Sequence, residues 1–144
     1  MKLSTKGRYG TRALLDIALH NKEEPVPLKD IAWRQQISLS YLEHLIALLV
    51  SAGVLRSVRG VGGGVSLARP AAEIKLNEVI ELLEGSVALA DCVRNPESCY
   101  RSSFCAAHDI WSELKAAMDS VLGSRTLQDL VERQKGKPQP MYYI

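Results

Sequence analysis

The chain reads as a mainly α-helical protein with one small β-hairpin: a winged helix-turn-helix followed by a long helix suited to dimerisation. Three observations predict this. Apolar residues recur at helical spacing through most of the chain. A glycine-rich run, Arg59-Gly60-Val61-Gly62-Gly63-Gly64, separates two short stretches of strand character. Charge is also divided, with ten Lys/Arg against five Asp/Glu in residues 1–70 and eight against eleven in residues 71–144. A basic N-terminal half can meet a phosphate backbone that would repel the acidic half.

In order, the spacing of Tyr9, Ala13, Leu14, Ile17 and Ala18 predicts a helix over 9–20, closed by Pro25 and Pro27, with His20 at its end or on the surface. Leu28, Ile31 and Ala32 give a second short helix over 28–35. Gln36-Ile37-Ser38 is a tight turn, and the Ser38 hydroxyl can cap the next helix, about Leu39–Ala52. That third helix places Leu42, Leu45 and Leu49 on one face and Ser40, Glu43, His44 and Ala47 on another. Gly53 suits a left-handed C-cap. Strands are predicted at 54–58 and 65–67, and Pro70 ends the unit. Leu76, Val79, Ile80 and Leu83 mark a fourth helix over 76–84 that Gly85 stops. A loop follows over about 90–105.

The long helix, about 106–122, carries Ile110, Trp111, Leu114, Ala117, Met118, Val121 and Leu122. This stripe is broader than one small wing domain can cover, so part of it is expected to bury against a second subunit. Thr126-x-x-Asp129 resembles a capped start to a last short helix. The resulting organisation is a winged region at 1–70, a connecting helix at 71–90, a cysteine-rich loop at 91–108, dimerisation and short C-terminal helices at 106–134, and a tail at 135–144. The apolar end of that tail, Met141–Ile144, is expected to dock onto the fold.

Length and composition (144 residues, 47% hydrophobic, 24% charged) fit a folded domain with no membrane partner. No apolar run follows Lys2, Lys6 and Arg8, and the longest apolar stretch, Leu45–Val50, is far too short to span a bilayer. Three cysteines without a secretion signal suit a reducing, cytoplasmic location rather than a disulfide framework.

Helix, turn, helix and hairpin in that order make the winged-helix pattern, whose third helix offers its N-terminal residues to major-groove base edges. The candidates are Ser38, Ser40, Tyr41, Glu43 and His44, with Arg59 and Gly60 on the wing. Hydroxyls suit phosphate or base contacts, and a glutamate can accept from cytosine N4. Arg59 on a thin hairpin is shaped to enter a narrow minor groove. The glycines are not a phosphate loop, since the Walker lysine and a following helix are absent. Read without function, the same elements form a small core, or a protein-interaction module.

Cys92-x6-Cys99-x5-Cys105-x2-His108 gathers four soft ligands. Thiolates and imidazole suit zinc or an iron–sulfur cluster. No Cys-x2-Cys knuckle is present, and the wide gaps form a loop able to wrap a larger object such as a two-iron cluster. The alternatives are a zinc site, a redox pair of thiols, or cysteines buried as small hydrophobes with His108 capping the long helix. No acid/base pair accompanies the cysteines, which argues against an enzyme.

The runs Met1–Gly10, Ile37–Glu43 and Ser57–Gly64 resemble the family of winged-helix regulators that includes IscR, CymR and NsrR. The resemblance covers nearly the whole chain. It implies a homodimeric transcription factor that binds double-stranded operator DNA, with dimerisation through the long helix. It maps the IscR cluster ligands onto Cys92, Cys99, Cys105 and His108, implying a [2Fe-2S] cluster supplied by the iron–sulfur assembly machinery, with [4Fe-4S] or zinc as alternatives. The first gap is one residue longer here than in the IscR pattern. NsrR-like members complete a [4Fe-4S] site with an N-terminal aspartate, where this chain has Arg8, so His108 is the better fourth ligand. CymR-like members lack the cysteines but share an ending like Met141–Ile144. His44 stands where the family pattern has glutamine, so operator sequences are not transferable. The implied role is repression of cluster-assembly genes. The remaining readings are a thiol- or nitric-oxide-responsive repressor of the same fold and a zinc-stabilised interaction module.

Overall fold

The computed structural model describes residues 2–138, so the expected docking of Met141–Ile144 lies outside the described residues. The helices are α1 (Thr5–His20), α2 (Leu28–Gln35), α3 (Leu39–Ser51), α4 (Leu76–Glu84), α5 (Asp91–Arg94), α6 (Ala106–Gly123) and α7 (Leu127–Lys135). The strands are β1 (Leu55–Val58) and β2 (Gly64–Leu67). Short 3₁₀ turns lie at Ala71–Glu73, Pro96–Ser98 and Ser102–Phe104. Among the described residues no helix is long and apolar enough to cross a membrane.

α1 begins four residues earlier than its apolar spacing predicts. The Ser4 hydroxyl caps it by accepting the Gly7 N–H at 3.2 Å. Gly7 and Gly10 serve close approach. A Cβ on Gly7 would lie 2.1 Å from Glu84 Oε1, and one on Gly10 2.6 Å from a Leu83 methyl carbon. α4 therefore lies flat against α1, and the Ser4 N–H and hydroxyl donate to Glu84 Oε1 at 2.9 and 2.5 Å.

The core is one cluster. It joins Ala13, Leu14 and Ile17 of α1 with Ile31 of α2 and the α3 stripe Leu42, Leu45, Ile46 and Leu49. Leu55 and Val65 of the hairpin, Val79 and Leu83 of α4, and Leu127 of α7 complete it. The hairpin is antiparallel, in register from Leu55–Leu67 to Val58–Gly64. Val26 bridges to Val65 through two backbone hydrogen bonds (2.7 and 2.9 Å), so the α1–α2 connection braces the wing from its second side.

α7 follows α6 after a short turn. It turns back to pack on α1 and the 71–73 turn, burying Leu127 and Val131. Its start is fixed by a capping box: Asp129 N–H donates to Thr126 Oγ1 at 3.2 Å and Thr126 N–H to Asp129 Oδ2 at 2.8 Å. Leu127 N–H to Ile74 O (2.8 Å) and Leu76 N–H to Arg125 O (3.0 Å) tie this start to the head of the molecule. α6 touches α4 and α5 yet buries no residue completely; Ile110, Trp111, Leu114 and Val121 are 39–61% exposed.

Candidate nucleic-acid interface and metal centre

The start of α3 is set locally. Gln36 adopts a left-handed conformation (φ 55°), the buried Ile37 donates its N–H to Ala32 O at 3.0 Å, and the Ser38 hydroxyl accepts the Tyr41 N–H at 3.3 Å. With that start, burying Leu42, Leu45, Ile46 and Leu49 turns Ser40, Glu43, His44 and Ala47 to the surface. Ser38 and Ser40 are exposed at the helix beginning. Tyr41 is half-buried, edge-on to Tyr9 of α1 with ring centroids 6.2 Å apart at 79°. The Arg8 and Arg12 guanidinium carbons approach the Tyr9 ring to 5.6 and 5.2 Å. Lys6 lines one cleft with Tyr41 and His44. Arg59 and Gly60 are exposed at the tip of the hairpin, a separate element from α3.

A second layer beneath this surface went unread in the sequence. Asp16 lies on the inward side of α1 with only 2% exposure. It accepts from Arg34 Nε (3.0 Å), Arg34 Nη2 (2.7 Å) and Gln35 Nε2 (2.8 Å). The hydrogen bond to Asp16 raises the Arg34 pKa above its ordinary value, against an opposing effect of burial. Arg12 donates to the Gln35 carbonyl (2.5 Å) and to Gln35 Oε1 (3.2 Å). Together these bonds lock α1 to the end of α2, where the helix-turn-helix turn begins. The only sequence signal was a carboxylate between Ala13 and Ile17 on an apolar stripe, which requires a cationic partner.

The cysteine segment is held by local turns rather than by a core. Asn95 Oδ1 accepts the Glu97 N–H at 3.3 Å, and the Ser102 hydroxyl reaches the Pro96 and Cys99 carbonyls, each at 2.8 Å. Cys92 lies on α5, Cys105 is the N-cap of α6, and His108 sits in the first turn of α6. His108 Nδ1 is 3.2 Å from Cys92 Sγ, and its Nε2 is 3.4 Å from Ser112 Oγ. Cys99 and His108 line one cleft with Pro96, Glu97 and Tyr100. All three thiols are free and half-buried.

His108 is thus the meeting point: it touches Cys92, faces Cys99 across a cleft and follows Cys105 by one helical turn. Among the described residues no three His, Cys, Asp or Glu side chains are gathered closely enough to hold a metal ion. The donor set nonetheless suits a soft metal or cluster, because cysteine sulfur and imidazole nitrogen meet between α5 and the first turn of α6. Ser112 was missed in the sequence, though its spacing four residues after His108 puts it on the same helix face. A serine there orients the imidazole ring.

A family model described as Rrf2, an iron-dependent transcriptional regulator, matches residues 3–133. The chain is 46% identical over 135 residues to the HTH-type transcriptional regulator IscR of Xenorhabdus nematophila, covering 94% of this chain and 82% of that one. Among solved structures, it is similar to T. potens IscR (39% identity, TM-score 0.77, 97% of this chain and 94% of that one). It is also similar to CymR, the global cysteine regulator of B. subtilis (33% identity, TM-score 0.79, 92% of this chain and 98% of that one). A winged head, an exposed face on α3 and these matches lead to one assignment: the chain belongs to the Rrf2 family and is a DNA-binding transcriptional regulator, not an enzyme.

Proposed function

We propose that this protein is a cytoplasmic homodimeric repressor of iron–sulfur cluster biogenesis genes whose DNA binding responds to a [2Fe-2S] cluster, one per subunit. Cys92, Cys99, Cys105 and His108 would hold the cluster, and the iron–sulfur assembly machinery would supply it. The observation that carries this reading is the 3.2 Å approach of His108 Nδ1 to Cys92 Sγ across sixteen residues of chain. When bound, such a cluster supplies a redox- and iron-sensitive element; the chain's own part is to bind and orient it. The likeness to regulators named IscR supports the same reading.

On the DNA side, Ser38, Ser40, Tyr41, Glu43 and His44 would meet the major groove, with Arg59 and Gly60 in the minor groove. The exposed face of α6, with Ile110, Trp111, Leu114 and Val121, would pair with a second copy. Glu43 is the selective residue on the recognition face. A carboxylate facing a duplex is repelled unless a donor such as cytosine N4 meets it, so Glu43 would exclude one class of operator from the cluster-free dimer.

Anaerobic reconstitution with an absorption spectrum and iron and sulfide analysis tests the cofactor. Alanine at Cys92, Cys99 or Cys105 should abolish the colour, and His108→Ala should leave a labile cluster. Zinc alone would defeat the cluster reading and favour a structural site. Absence of metal together with reversible thiol oxidation would favour a thiol-responsive repressor. Titration of fluorescent operators with apo and holo protein tests the response. Glu43→Ala apo-protein should bind sites that wild type recognises only in the holo form, and an unchanged apo/holo ratio at every operator would remove Glu43 from the switch.

A further inference from the structure

Val61 is fully exposed, more so than any other large apolar side chain among the described residues. It occupies the second position of a turn closed by the Gly63 N–H donating to Gly60 O at 2.9 Å. Gly62 follows at φ 76°, the conformation that the third position of a type II turn requires. The tip is also folded tightly onto its own strand: a Cβ on Gly63 would lie 2.4 Å from Val58 O and 2.8 Å from Gly60 O. So this valine is carried outward on a sterically constrained tip, two residues beyond Arg59. Its burial contributes nothing to the head, because it has none.

A minor groove is about 6 Å wide, and only a thin element enters it. A single branched side chain flanked by glycines meets that limit. The floor of the groove offers acceptors at A·T pairs, and guanine adds an amine donor. Arg59 has donors for the acceptors. Neither a guanidinium nor an isopropyl group has an acceptor for the amine, which would then be desolvated without a partner.

We propose that Val61 is a groove-reading residue of the wing: it packs against the minor-groove walls beside Arg59 and selects against base pairs carrying the guanine amine. This rests on the DNA-binding reading above. The test uses the full-length dimer and an operator whose wing-contacted base pairs, located by footprinting, are A·T, G·C or inosine·C. Inosine keeps the G·C pairing geometry but lacks the amine.

Wild type should bind the A·T and inosine·C operators alike, and both several-fold more tightly than G·C. Val61→Ala removes two methyl groups and should weaken the A·T and inosine·C complexes by up to about tenfold while narrowing the gap to G·C. Its thermal midpoint should equal that of wild type, which a residue with a structural role would not show. Val61→Thr, of similar shape, should retain more affinity than alanine. If Val61→Ala binds all three operators as wild type does, or loses affinity for them equally, the proposal is overturned while the DNA-binding reading stands. If wild type itself binds no duplex, both fall together.

Discussion

α3 and α4 each bury four side chains, and α1 buries six residues, whereas the 18-residue α6 buries none. The same contrast holds for polar groups. In the head, Asp16 is satisfied three times over by Arg34 and Gln35, and Thr126 and Asp129 cap each other. In the arm, His108 meets Cys92 and Ser112 on a loose segment, and Tyr100 and Phe104 remain exposed. A head completed within one chain is a fixed reading surface. An arm left incomplete leaves apolar area that a further surface could bury, since most helical stability in proteins comes from packing of an apolar face.

The strongest way to break this contrast is at Asp16. Asp16→Ala removes three charge-assisted hydrogen bonds from a pair whose Arg34 side chain is 27% exposed, so it should lower stability by about 3 kcal/mol in urea unfolding. A loss no larger than that of an exposed acid such as Glu23→Ala would mean the head is not locked through α1 and α2. On the arm, Trp111→Glu should destabilise the proposed dimer by about 2 kcal/mol or more and yield folded monomer by analytical ultracentrifugation. A monomer whose circular dichroism is lost would show that the head depends on the arm after all.

The wing sharpens the comparison because it is exposed yet built on the head. Arg59→Ala should weaken operator binding by about 1–3 kcal/mol in a fluorescence titration while leaving the unfolding midpoint unchanged. The smallest effect is expected at the α7 cap. The Asp129 carboxyl is held below its ordinary pKa, first by the hydrogen bond it accepts from the Thr126 backbone. Its contribution should therefore be full above the ordinary carboxylate range and lost as pH falls through the lowered value. Acid unfolding of Asp129→Asn should show a correspondingly weaker pH dependence in that window, and an identical profile would place the cap's contribution elsewhere.

Much of the head was legible because its signals are local. The α4 stripe Leu76, Val79, Ile80 and Leu83 is buried throughout, as its period requires, and Ser38 and Thr126 cap the helices they precede. The first turn of α1 was not legible, because the apolar spacing begins only at Tyr9 and the Ser4 cap lies upstream of it. The cysteine segment was legible as a ligand set but not as an arrangement.

Side-chain period, caps and turn glycines act within a few residues, and these local signals sufficed for the main helices, the hairpin and the exposed face of α3, but not for α5, which forms at Asp91–Arg94 inside the predicted loop. Three features came only with the tertiary structure: the burial of Asp16 against Arg34, the return of α7 to α1, and the contact of His108 with Cys92 rather than with all three cysteines. Each joins residues distant in the chain, and whether such groups meet depends on how whole elements pack, which no local spacing encodes.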